Sequence, residues 1–118
     1  MKMLIAGSRT LSPSIEEIDA QVPRPEKVTA VISGTAAGVD RAGEKWAAHH
    51  GIPVERMPAD WDRLGKKAGY VRNEAMALAC GCALVFWDGA SSGTRHMINL
   101  AKAHGKPVKV VAPEISTR

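Results

Sequence analysis

A chain of 118 residues and 12.6 kDa has room for one domain of ordinary size, so a single folded unit over 1–118 is expected. Hydrophobic residues at 45% and charged residues at 24% exclude a disordered chain, and two cysteines exclude a disulfide scaffold. The net charge of +4 favours anionic partners; residues 1–59 hold seven basic and seven acidic side chains and residues 60–118 nine and five, so the surplus lies in the second half.

Lys2 to Ala6 is a short apolar run that ends in Gly7-Ser8-Arg9 and reads as a first strand. The apolar segment at Met1 to Gly7 is too short for a signal peptide, and no run of about 18 apolar residues follows, so a cytoplasmic protein without a membrane partner is expected. Ile15, Ile18 and Val22 recur at helical spacing after Ser12-Pro13, where Ser can cap and Pro suits a first turn; Pro23 and Pro25 stop that helix. Val28 to Ser33 reads as the second strand. Val39, Ala42, Gly43, Trp46, Ala47 and His50 line one face of a second helix, which Gly51 and Pro53 end.

Val54 to Met57 reads as the third strand, and Pro58 to Gly69 has no clear period. Within it, Trp61 is expected to pin the long loop to the body. Val71, Ala75, Leu78 and Ala79 mark a third helix with Arg72 and Asn73 in its first turn. Ala83 to Trp87 reads as a fourth strand, Met97, Ile98 and Ala101 as a fourth helix, and Val108 to Ala112 as a fifth strand. Cys80 and Cys82 read as small residues in or beside a buried strand, and the four histidines lack metal-site spacing, so neither a metal nor a cofactor is expected. Strands of near-continuous apolar character alternating with helices predict an α/β fold: a Rossmann-like three-layer sandwich, five parallel strands and about four helices.

In such sheets ligands bind beyond the carboxyl ends of the strands. The loops there contain Gly7, Ser8 and Arg9; Ser33, Gly34, Gly38 and Asp40; and Gly89, Ser92, Gly93 and Thr94. Glycine lets backbone approach a ligand, and a following helix start aims free N–H groups at an anion, so these residues form a candidate phosphate cradle. Arg72 and Asn73 join them, since a guanidinium suits phosphate. Trp61 and Trp87 are the aromatic residues nearest the mouth. Candidate acids or bases are Asp40, Asp60, Glu74 and His96, although Glu74 is better suited to an exposed ion pair and Asp40 equally to a dipole partner.

The order of motifs resembles the SLOG superfamily, which includes the LONELY GUY-type phosphoribohydrolases and DprA-like domains. More narrowly it is similar to the small stand-alone YspA/YpsA-related branch found in bacteria and phages. The resemblance rests on Gly7-Ser8-Arg9, Gly34 through Arg41, Pro58-Ala59-Asp60-Trp61, Gly65 through Gly69, Arg72 through Met76, and Gly93-Thr94 followed by Met97. It implies a nucleotide-derived ligand. The phosphoribohydrolases pair an arginine with a glutamate three residues after the motif threonine; Arg72 matches the first, whereas Met97 stands where the acid would be. The expected function is therefore binding, as sensor or sequestrant, of a phosphorylated nucleotide derivative. N-glycosidic hydrolysis, with Asp40, Asp60 or Glu74 replacing the missing acid, is the alternative, and DprA-like DNA binding a weaker one. A homodimer or larger homo-oligomer is expected, and nucleic acid is not.

Overall fold

Five parallel strands, β1 (Lys2–Gly7), β2 (Ala30–Ser33), β3 (Val54–Arg56), β4 (Cys82–Phe86) and β5 (Val108–Val111), form one sheet in the order β3-β2-β1-β4-β5 in a computed structural model that describes residues 1–112. The chain builds outward from β1 to β3, then returns to the other side of β1 to lay down β4 and β5. The order reverses between β1 and β4, where Gly7 pairs with Phe86.

Pleating explains why the strands are apolar on both sides. Met3 and Ile5 of β1 join Val31, Leu84 and Phe86 in one core with Ile18 of α1 (Ile15–Gln21) and Val39, Trp46 and Ala47 of α2 (Val39–His49). Leu4 and Ala6 point the other way, to Ile32, Ala83 and Val85. There they meet a one-turn helix-bearing segment's successor, α4 (Ala68–Ala79), through Met76 and Ala77, and α5 (Ser92–Ala103) through Met97, Ile98 and Ala101. The short helix is α3 (Trp61–Leu64). The three-layer α/β arrangement expected from the sequence is thus the one formed, with four longer α-helices and one single turn among the described residues.

Several local readings change. The cap of α1 is Ser14, not Ser12: its Oγ accepts from Glu17 N–H at 3.1 Å, while the Glu17 carboxylate accepts from Ser14 N–H at 2.9 Å. The second strand starts at Ala30, because Pro25–Lys27 form a 3₁₀ turn whose last bond holds Val28. The segment read as structureless is helical from Trp61, where Asp60 caps α3 through Arg63 N–H, and runs on through a 3₁₀ turn at Gly65–Lys67 into α4. Arg72 and Asn73 consequently sit one turn inside α4.

The face of α4 is also different. Ala68, Asn73, Met76 and Ala77 are buried, whereas Val71 and Leu78 are exposed. His50 caps the end of α2 rather than lining its core face, with Nε2 2.8 Å from Asp19 Oδ1. Asp19 also accepts from the buried Trp46 Nε1 at 2.7 Å, and these two contacts hold its carboxyl below the usual range. Cys80 is buried at the end of α4 and Cys82 opens β4; burial raises both thiols, in keeping with small packing residues. No described helix is long and apolar enough to cross a membrane.

Candidate functional site

At the switch point β1 and β4 lie so close that a Cβ on Gly7 would be 2.1 Å from the Phe86 carbonyl oxygen. Glycine is required there by approach rather than by torsion. Ser8 follows, fully enclosed: its N–H donates to Phe86 O at 3.0 Å and its Oγ accepts from Asp88 N–H at 3.1 Å. The Asp88 carboxylate then accepts from Ala90 N–H at 2.8 Å and Ser91 N–H at 2.9 Å, which keeps its carboxyl below the ordinary range. This folds the loop so that Ser91 caps α5, with its Oγ 3.0 Å from Thr94 Oγ1. The first N–H groups of α5, at Ser92 and Gly93, have no intrahelical acceptor and carry the positive end of the helix dipole.

The opposite wall is set by α2 and α4. Gly38 has φ 81° and packs so tightly on the first loop that a Cβ would be 2.5 Å from Arg9 O. Asp40, one residue into α2, turns back to accept from Ala36 N–H at 3.0 Å. It therefore acts on the preceding loop and not as the helix cap. Burial pushes its carboxyl up, and that effect outweighs Ala36 N–H and the nearby Arg72 charge. Arg72 reaches over the same loop, donating Nη1 to Gly34 O at 2.7 Å and Nε to Asn73 Oδ1 at 3.1 Å. Two of its five donors are thereby committed to protein. Burial lowers the guanidinium, which stays cationic.

Because Arg72 Nε can only donate, Asn73 must present its carbonyl to Arg72 and its amide to α5. That amide lies 3.4 Å from Gly93 O and 3.1 Å from His96 Nδ1. A donor facing Nδ1 assigns the proton of neutral His96 to Nε2. His96 meets Tyr70 edge to face, with ring centroids 4.7 Å apart. Tyr70 is exposed, and so is Trp61, which contradicts the expectation that Trp61 anchors its segment in the body. Instead the Trp61 ring edge lies against Gly69 at the rim of the cleft.

Together these groups surround a pocket of about 810 Å³. It gathers Gly7, Ser8, Arg9, Asp40, Trp61, Arg72, Asn73, Ser92, Gly93, Thr94 and His96 of the residues expected from the sequence. Met97 forms part of its wall, so the position of the missing acid is inside the pocket and apolar. Four cationic side chains, Arg9, Lys66, Arg72 and Arg95, face it against two carboxylates, Asp40 and Asp88.

Other candidates fall elsewhere. Asp60 is tied to Arg63 at 3.1 Å, and Glu74 is paired with His104 on the α4–α5 flank; neither lines the pocket. Ser33 is buried against Glu44, 2.6 Å from its carboxylate. Gly38 and Gly89 shape loops without lining the pocket, and Trp87 lies behind it, its Nε1 donating to Ser91 O at 3.0 Å and its ring under Arg95. Gly34 lines a smaller adjoining pocket. Tyr70 and Asp88 also line the pocket, and neither is among the candidates drawn from the sequence. Tyr70 stands three residues before Asn73 and seven before Ala77, a helical spacing that places it on the face turned to α5.

The doubly wound sheet and its switch-point cleft define a Rossmann-like domain. Residues 1–64 match the model of the YspA, cpYpsA-related SLOG family, and the chain belongs to that family. The matched region ends with α3, so it contains the loops after the first three strands but neither Arg72 nor the start of α5. The chain is also 36% identical to the Gene 61 protein of Mycobacterium phage D29, in an alignment covering 91% of this chain and 93% of that protein. No solved structure matches.

Proposed function

We propose that this protein binds a phosphorylated nucleotide derivative in the switch-point pocket, as a sensor or sequestering module. The observation that carries the proposal is the convergence of Arg9, Arg72, Arg95 and the free N–H groups of α5 on one cleft whose rim is aromatic. The charged half suits phosphate, and the exposed rings of Trp61 and Tyr70 offer faces for a base. Three or four charge-assisted hydrogen bonds contribute about 5–12 kcal/mol in all, against an association cost of about 4–15 kcal/mol. Phosphate contacts alone barely retain a ligand, and the aromatic rim supplies the remainder. Titration calorimetry with purine and pyrimidine nucleoside mono- and diphosphates tests the reading; micromolar binding by at least one is expected, and no heat from any of them overturns it.

A second reading rests on Asp40. It is the one candidate acid among Asp40, Asp60 and Glu74 that lines the pocket, and burial favours its protonated form. A carboxyl so placed can stabilise or protonate at a glycosidic bond, the work that Met97 cannot do. Release of free base from a nucleoside monophosphate, lost in Asp40→Asn, supports hydrolysis; unchanged nucleotide after prolonged incubation excludes it and leaves binding.

A further inference from the structure

Beside the main pocket lies a second one of about 330 Å³, and the two share Arg9, Ala36, Trp61 and Arg72. Typical small-molecule sites span about 300–1,000 Å³, so the larger cavity holds a nucleotide by itself and the smaller adds space for one more compact group. The smaller one is lined by Gly34 to Ala37 of the loop after β2, by Pro58 and Ala59 after β3, and by Trp61. Among the described residues, its charged lining is the two arginines it shares with the larger pocket.

The charge at the divide is unbalanced. Arg9 stands close enough to Arg72 to disfavour its charge, and both guanidinium groups favour the charged form of Asp40. Two guanidinium groups near one buried carboxyl leave a place for an anionic linker, and the rest of the small pocket's described lining is uncharged. Thr35 in that pocket holds φ 69°, a conformation costly for a β-branched residue, and its carbonyl is fixed by Arg41 Nε at 3.3 Å. The loop is thus held in a shape that keeps the small compartment open beside Gly34.

From this arrangement we infer that the ligand is two-headed: a nucleoside diphosphate esterified at its terminal phosphate with a neutral, sugar-sized group. The nucleoside occupies the larger pocket near Tyr70 and His96, the diphosphate bridges Arg9 and Arg72, and the neutral group sits under Trp61 between Thr35 and Ala59. This rests on the nucleotide-binding reading and narrows it. The ester carries less negative charge than the free diphosphate, so tighter binding of the ester reports the second group and not electrostatics.

The test compares UDP with UDP-glucose, ADP with ADP-glucose and GDP with GDP-mannose by calorimetry on the full chain. For at least one pair the ester is expected to bind about fivefold or more tightly than its diphosphate. Ala37→Leu and, separately, Ala59→Leu, which narrow only the smaller pocket, are expected to remove that gain while diphosphate binding stays within about twofold. Binding of a diphosphate with no gain from its ester overturns this inference alone, as does an equal loss for both ligands in folded variants. Failure of every nucleotide to bind overturns the nucleotide reading and this inference together.

Discussion

Arg72 on α4 and Gly34 after β2, 38 residues apart in sequence, are joined by a 2.7 Å hydrogen bond from Nη1 to the carbonyl oxygen. The same guanidinium holds Asn73 through Nε, so it ties α4 to the loop after β2 while keeping further donors for a ligand. Lysine keeps the charge but not the fork. Arg72→Lys is accordingly expected to weaken nucleotide binding about tenfold, and Arg72→Ala more, as read by titration calorimetry. Equal affinity of wild type and Arg72→Ala would remove this side chain from the site.

Asn73 turns its two ends to different partners, and that asymmetry is testable. Asn73→Asp keeps the acceptor for Arg72 but replaces the amide that faces His96 Nδ1 with an acceptor. Neutral His96 should then move its proton from Nε2 to Nδ1, visible in the ¹⁵N chemical shifts of the imidazole. A wild-type spectrum already showing Nδ1–H would contradict the assignment.

The acid behaviour of Asp40 has a definite sign. Its carboxyl is raised by burial, so the folded state holds the proton to higher pH than the unfolded chain does. Its contribution is full below the unfolded value near 3.8 and is lost as pH rises through the folded value. Asp19 and Asp88 are shifted down and act oppositely, losing their contribution as pH falls below that range. The melting temperature of Asp40→Asn relative to wild type should therefore climb as pH rises past 3.8, the ordinary value of this carboxyl. A flat or falling difference would mean that Arg72 outweighs burial.

Gly7 admits no side chain without parting the two central strands. Gly7→Ala would set a methyl 2.1 Å from Phe86 O and 2.7 Å from Val39 Cγ2. Expected outcomes are loss of soluble protein or a fall in melting temperature of more than about 10 °C, since overpacking, strain and broken pairing act together. Ser14→Ala, which removes only a helix cap, is expected to cost about 1 kcal/mol and to leave binding unchanged.

Much of this architecture is legible in the chain. The β1 run from Met3 to Ala6 feeds alternate residues to two cores, which is why it reads as continuously apolar, and Trp46 and Ala47 mark the buried face of α2. The reading fails where local signals are short or shared. α3 has four residues, less than a helical repeat needs to show itself, and so α4 starts a turn earlier than its apolar residues suggest. On α4, Val71 and Leu78 are apolar yet exposed, while Asn73 is polar yet buried because Arg72, Gly93 and His96 satisfy it. Tyr70 escapes notice for the same reason: its role comes from the neighbouring helix, not from its own segment.

The reversal of strand order between β1 and β4 makes the cleft discontinuous in the chain. A fragment ending at residue 64, the part that carries the family signature, would supply Gly7 to Arg9 and Asp40 but no Arg72, no Asn73 and no start of α5. It would also leave β1, with Leu4 and Ile5 wholly enclosed in the full chain, as an uncovered sheet edge prone to pairing with other copies. During synthesis the cleft cannot exist until α5 has been made, so a ligand that fills it can reward only a chain grown past that helix.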